Sequence, residues 1–268
     1  MLKLLRRSLA AIVFIAFLCA FQDVGGMALV RLSGWQIIPA LLALNGVALL
    51  VLFGVTVLFG RVYCSVFCPL GVLQDVIMGV ASLCGRRRVA VYAPPMNKTR
   101  WAVFAVCLIC VLAGLTALPA LIFPYSAFGR IASQLFVPVA TLAGNLTATL
   151  LDALDLPILM KQEIFVKGAM ALCVAAASLI LLCVATVLKG RWFCNALCPA
   201  GTLLSVLSLR PVFRLKIDES KCVKCGLCEK QCKTGCIDAT SGKLDNARCV
   251  RCMNCISTCA KGAVKWRV

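Results

Sequence analysis

Nineteen cysteines and no histidine point any redox chemistry in this 268-residue chain to sulfur ligands. The run CVKCGLCEKQCK sets Cys222, Cys225, Cys228 and Cys232 at C-x2-C-x2-C-x3-C, and CVRCMNCISTCA repeats that spacing with Cys249, Cys252, Cys255 and Cys259. A cubane of iron and sulfide needs four converging thiolates. The three closely spaced cysteines surround one face, and the fourth reaches the neighbouring cluster. The spacing therefore assigns Cys222, Cys225, Cys228 and Cys259 to one [4Fe–4S] centre, and Cys249, Cys252, Cys255 and Cys232 to a second. Zinc ribbons use paired C-x2-C knuckles rather than triples. Without imidazole there is no bis-histidine haem b, no histidine-bound zinc and no Rieske centre. Lys233 and Ala260 follow the fourth cysteines, where the bacterial run carries proline. Cys236 is a ninth cysteine of this region without a role in the pattern.

A second cysteine pattern lies in an apolar setting. GRVYCSVFCPLGVLQDV, starting at Gly60, returns 130 residues later as GRWFCNALCPAGTLLSV, starting at Gly190, with eight of seventeen positions identical. Cys64 and Cys68 are four apart, as are Cys194 and Cys198, so each pair would share a helix face. The residue before proline leaves the helical region, and proline favours the first turn of a new helix. Cys68-Pro69 and Cys198-Pro199 thus mark the end of one helix and the start of an interfacial one. Three readings are open for the four cysteines: a shared metal centre, redox dithiols, or small residues that shape the junction. Cys19, Cys84, Cys107, Cys110, Cys173 and Cys183 have no such pattern and read as packing residues.

The elements that must carry these motifs are membrane helices. The chain is 62% hydrophobic with only 14% charged residues, and its mean hydropathy is +0.98. Residues 8–21, 37–59, 102–123 and 168–188 read as about four spans, and 131–151 as a re-entrant or outer-face segment. Residues 1–211 then form an α-helical polytopic membrane domain in two parallel repeats, around 8–84 and 101–209. Residues 212–268 form an α+β, two-cluster bacterial ferredoxin-like domain. Lys3, Arg6, Arg7, Arg61, Arg86, Arg87, Arg88, Lys98, Arg100, Lys189 and Arg191 flank one set of helix ends, whereas Arg31, Arg130, Lys161 and Lys167 on the other side are offset by Asp23, Asp152, Asp155 and Glu163. This bias places the N-terminus and the ferredoxin-like domain in the cytoplasm of a bacterial inner membrane. The net charge of +18 therefore reflects membrane topology rather than nucleic acid. Residues 212–268 hold twelve Lys and Arg against five acids, an excess that balances anionic clusters and suits an acidic redox partner or lipid headgroups.

Two C-x3-C-P motifs followed by a double C-x2-C-x2-C-x3-C domain resemble the membrane ferredoxin family that includes NapH, MauN and the C-terminal half of NosR. FPYSAFGR, residues 123–130, is similar to a P-x-S-x-x-G-R segment of that family. The resemblance implies a quinol dehydrogenase-type oxidoreductase or electron-transfer subunit that relays electrons between the quinone pool, or a membrane redox partner, and a further protein. The second pair here, WFCNALCP, lacks the histidine that NapH-like chains can carry between the cysteines, and no flavin-binding outer domain is present. Ionisable or polar residues inside a membrane mark function; Arg130, Gln74 and Asp75, with Asp23, are the candidates for a quinone site. A maturation factor that reduces metal for another enzyme, or a redox sensor, is the alternative.

Overall fold

The computed structural model describes residues 2–22, 31–85, 92–153, 161–163 and 168–267. Asp23, Arg86, Arg87, Arg88, Asp155 and Lys167 lie outside them. Among the described residues, three helices are long and apolar enough to cross a membrane: α1 (Leu2–Phe21), α8 (Pro124–Asp152) and α9 (Ala169–Lys189).

The apolar stretches 37–59 and 102–123 do not form single helices. The first divides into α2 (Ile37–Leu42) and α3 (Gly46–Phe59). Leu44 sits at φ 51, and the side chain of Asn45 caps α3 by accepting from the Ala48 amide at 3.2 Å. The second divides into α6 (Asn97–Leu112) and α7 (Ala117–Ile122) around Gly114 at φ 76. Asn45-Gly46 and Gly114 are the turn and C-cap signals that hydropathy alone passes over.

The segment expected to be re-entrant is part of the 29-residue α8 instead. Proline removes one helical donor and crowds the preceding turn. A π-helical turn at Ala132–Phe136 just ahead of Pro138 absorbs that insult, so the helix runs on. Its first turns pack on α1: the Phe14 and Phe128 rings lie 5.4 Å apart, and those of Phe17 and Tyr125 lie 6.0 Å apart. FPYSAFGR is therefore a packing segment against the first helix.

After α3 comes a short turn of helix, α4 (Tyr63–Val66), then α5 (Pro69–Leu83). After α9 the same order returns as α10 (Trp192–Ala196) and α11 (Pro199–Leu207). The C-terminal region is built differently. Strand β1 (Arg214–Ile217) pairs antiparallel with β4 (Val264–Arg267), and β2 (Ile237–Asp238) with β3 (Lys243–Leu244). Two short helices, α12 (Leu227–Lys230) and α13 (Asn254–Thr258), carry the third cysteine of each triple, Cys228 and Cys255. This region sits on the ends of α3 and α9. The amides of Val212 and Phe213 donate to the carbonyls of Val57 and Leu58, and Phe213 stacks on Phe59 at 5.1 Å.

Candidate functional site

The repeated GR-x2-C-x3-CP-x-G string is explained residue by residue. Gly60 and Gly190 end α3 and α9 at φ 77 and φ 62, a region that favours glycine. A Cβ on Gly60 would also meet Arg251 Nε at 2.7 Å. The helix stops there, so the two cysteines of each motif do not share a helix face as their spacing suggests. Cys64 rides on α4, whereas Cys68, ahead of Pro69, is extended at φ −77, ψ 111. Cys194 and Cys198 repeat the arrangement. The loop geometry, not a helix face, turns the thiols together.

The arginines then cross between repeats. Arg61 Nη2 donates to the Cys194 carbonyl at 2.8 Å, and Arg191 Nη1 donates to the Cys64 carbonyl. Gly71 and Gly201 make room for this exchange. A Cβ on Gly71 would collide with the Cys64 carbonyl, and one on Gly201 with the Cys194 carbonyl. Pro69 and Pro199 open the helices that carry these glycines.

All four thiols are buried, at 4–5% exposure, and they lie within electrostatic reach of one another. Burial pushes the thiols of Cys68 and Cys198 up, and the neighbouring thiols add to it. Amides from the first turns of the following helices counter this: Gly201 donates to Cys198 Sγ at 3.3 Å, and Gly71 donates to Cys68. Gln74 is fully buried with its Oε1 3.5 Å from Cys194 Sγ. Every one of the nineteen cysteines is a free thiol.

Charge around this core is unequal. Asp75 receives Arg191 at 2.8 Å, Lys233 at 2.8 Å and Arg6 at 3.1 Å. Burial would raise its carboxyl, but Arg191, Lys233 and Arg6 hold it well below the usual carboxylate range. Arg61 is equally buried, yet among the described residues no carboxylate reaches it. Its partners are Asn195 Oδ1 at 2.7 Å, two carbonyls, and Cys64 Sγ at 3.9 Å. Lys233, unexplained as a departure from proline, is a docking residue: its carbonyl accepts from the Arg191 amide and its ammonium from the ferredoxin-type side meets Asp75. Arg130 sits elsewhere and donates to the Leu121 carbonyl at 3.3 Å. Gln74 and Asp75 are thus side by side, and Arg130 has a different set of neighbours.

In the C-terminal region, Cys222, Cys225, Cys228 and Cys259 line one cavity of about 170 Å³. Cys232, Cys249, Cys252 and Cys255 are buried together and electrostatically coupled. Cys236 lies against this second group, 3.6 Å from Cys232 Sγ. Lys224, Arg251 and Met253 adopt positive φ within the cysteine loops. Cys252 belongs to the same packed core as Cys64, Cys68 and Cys198. Among the described residues, no three cysteine or acidic side chains gather as a single metal ion requires. Four-thiolate sets are the ligand chemistry of iron–sulfur centres.

Fold and site together define an iron–sulfur protein with 4Fe–4S ferredoxin-type domains. A family model described as "4Fe-4S binding domain" matches residues 40–88 and again 173–218, each match enclosing one C-x3-C-P motif; a second model of the same description matches residues 215–238. The chain is 51% identical over 41 residues to uncharacterized protein MJ0749 of Methanocaldococcus jannaschii, which covers 15% of this chain and 17% of that one. It is 28% identical over 190 residues to uncharacterized protein MJ0750 of the same organism, covering 69% of this chain and 63% of that one. It thus spans less than two thirds of the length of either relative. No solved structure matches.

Proposed function

We propose that the chain is a membrane-bound electron-transfer protein of the NapH/MauN/NosR type. Its C-terminal region holds two [4Fe–4S] clusters, through Cys222, Cys225, Cys228 and Cys259 on the outer side, and through Cys249, Cys252, Cys255 and Cys232 on the inner side. When bound, such clusters supply reversible one-electron transfer. The observation that carries this reading is the gradient of burial across the two cysteine sets. Cys225 is exposed and its three companions are half-buried, whereas all four inner cysteines are buried, and Cys252 packs into the membrane-side core.

The protein's own residues set up the two ends of that path. Lys221, Lys224 and Lys261 are exposed beside the outer set, next to the exposed apolar side chains of Val223 and Leu227. A basic rim around an apolar patch suits docking of an acidic redox protein. At the inner end, Lys233 and Arg251 fasten the region to Asp75 and the Phe59 carbonyl.

The membrane-side partner is a one-electron redox protein rather than quinol oxidised at Arg130, Gln74 and Asp75. A quinol releases two protons with its two electrons, and a base must take them. Asp75 is a strongly stabilised carboxylate held by three cations, a poor proton acceptor. An apolar cavity of about 290 Å³ does end at Pro199 and Ala200, beside Cys198, but its lining is apolar throughout. A metal-reducing maturation role would require thiols that a metal ion can reach, and the four motif thiols are buried.

The test is anaerobic reduction of the purified full chain, followed by electron paramagnetic resonance. Dithionite and an acidic electron-transfer protein should reduce the clusters, and a ubiquinol or menaquinol analogue alone should not. Reduction by the quinol analogue would restore the quinol dehydrogenase reading, and absence of any cluster signal would end the electron-transfer one.

A further inference from the structure

We propose that Cys64, Cys68, Cys194 and Cys198 together hold a third iron–sulfur cluster that bridges the two repeats, with Arg61 as its buried counter-charge. The proposal rests on the electron-transfer reading of the C-terminal region and extends the path into the membrane part.

Four observations converge on it. The first is enclosure: four thiols from two distant parts of the chain are buried within electrostatic reach of one another, and none is spent in a disulfide. A C-x3-C pair that cycled as a dithiol would need only its own two cysteines. Here each motif is held in register with the other by the exchanged arginines Arg61 and Arg191.

The second is charge. Arg191, Arg6 and Lys233 share one carboxylate, Asp75, and Arg61 lies outside that set. Arg61 is fully buried, and among the described residues it meets thiols but no acid. An unpaired buried cation costs several kcal/mol. A four-thiolate iron–sulfur cluster carries about two negative charges when oxidised and meets that requirement, whereas four neutral thiols do not.

The third is the set of donors already aimed at sulfur. The amides of Gly71 and Gly201, in the first turns of α5 and α11, donate to Cys68 and Cys198. Amide N–H groups and a helix N-terminus both favour thiolate over thiol. Gln74 adds to this from inside the core. Its Nε2 is buried without a partner while its Oε1 faces Cys194. Amide oxygen and nitrogen are assigned from the hydrogen-bond network, and the reversed amide would donate to a Cys194 thiolate.

The fourth is spacing and position. Each of Cys68, Cys194 and Cys198 is influenced electrostatically by thiols of the other motif. The family model described as "4Fe-4S binding domain" covers each motif once. Cys252, from the inner ferredoxin-type set, shares the packed core with Cys64, Cys68 and Cys198. Exchange between the two sites moves one electron, oxidising one as it reduces the other, and no bond is made or broken. The remaining membrane cysteines stay outside the arrangement: Cys107 lines the apolar cavity, and Cys173 is exposed.

The experiment is iron and acid-labile sulfide analysis of the full chain, purified anaerobically in detergent, with Mössbauer spectra of the iron-57 protein. The expected result is about twelve irons matched by sulfide, as three [4Fe–4S] clusters require. The double variant C64S/C194S should lose about a third of both and keep the ferredoxin-type signals, while Cys173→Ser changes nothing. About eight irons in the native chain, or an excess made of zinc or copper without sulfide, would overturn the third cluster and leave the two-cluster reading intact. Fewer than about eight in the native chain would count against the electron-transfer reading itself.

Discussion

Arg61 of the first repeat donates to the carbonyl of Cys194 in the second at 2.8 Å. Its counterpart Arg191 returns the bond to Cys64. The two C-x3-C-P motifs are therefore one structural unit, tied together by side chains that cross between the repeats. Of these two arginines, among the described residues, only Arg191 meets an acid, and this asymmetry gives the first prediction. Arg61→Gln keeps some hydrogen bonding but removes the charge. It should cost about 1–3 kcal/mol of stability and, with the proposed third cluster in place, make that cluster labile, read as loss of iron and sulfide on gel filtration. Full retention of both would show that the charge plays no part.

The glycines of the motif give a prediction with an internal control. Gly201→Ala drives a Cβ into the Cys194 carbonyl and to 2.7 Å from Arg61 Nη2. Overpacking of this kind costs about 1–3 kcal/mol. Gly144, in the middle of α8, has nothing within 4 Å of its Cβ position. Gly144→Ala should be neutral or stabilise the helix by up to about 1 kcal/mol. Thermal unfolding in detergent separates the two.

Asp75 sets the acid limit. Its folded pKa lies below its unfolded value because Arg191, Lys233 and Arg6 outweigh the burial penalty. The stability it contributes is fully present above the unfolded value near pH 4 and is lost as pH falls through the folded value. Asp75→Asn should destabilise the protein by about 3–5 kcal/mol at pH 7. The difference from the native chain should shrink only below about pH 4, measured as chemical unfolding across pH.

Cys236 stands 3.6 Å from Cys232 Sγ, and its amide donates to the same sulfur at 3.4 Å. On the proposed cluster assignment Cys236 is a hydrogen-bond partner of a ligand sulfur rather than a ligand. Cys236→Ala should leave the iron content unchanged and lower the reduction potential of the inner cluster, since such bonds help set it. Loss of about four irons would make Cys236 a ligand instead.

Much of this was legible in the residues. Spacing alone marks the eight C-terminal cysteines as candidate ligands; four of them line one cavity and the other four are buried. The repeat at Gly60 and Gly190 exposed the second motif. Two things were not legible. Hydropathy counts apolar residues but not the turns within them, so the breaks at Asn45 and Gly114 and the unbroken α8 went unread. Lys233 was visible as an irregular residue after a cysteine, but its partner Asp75 lies 158 positions earlier in the chain. A contact of that range has no local signature.

The most direct test of the account is a redox titration of the anaerobically purified full chain, followed by electron paramagnetic resonance. Reversible one-electron steps with iron–sulfur signals, and strong coupling between the two ferredoxin-type clusters, are the predicted result. A chain that carries zinc at these cysteines, with no labile sulfide and no signal at any potential, would contradict it.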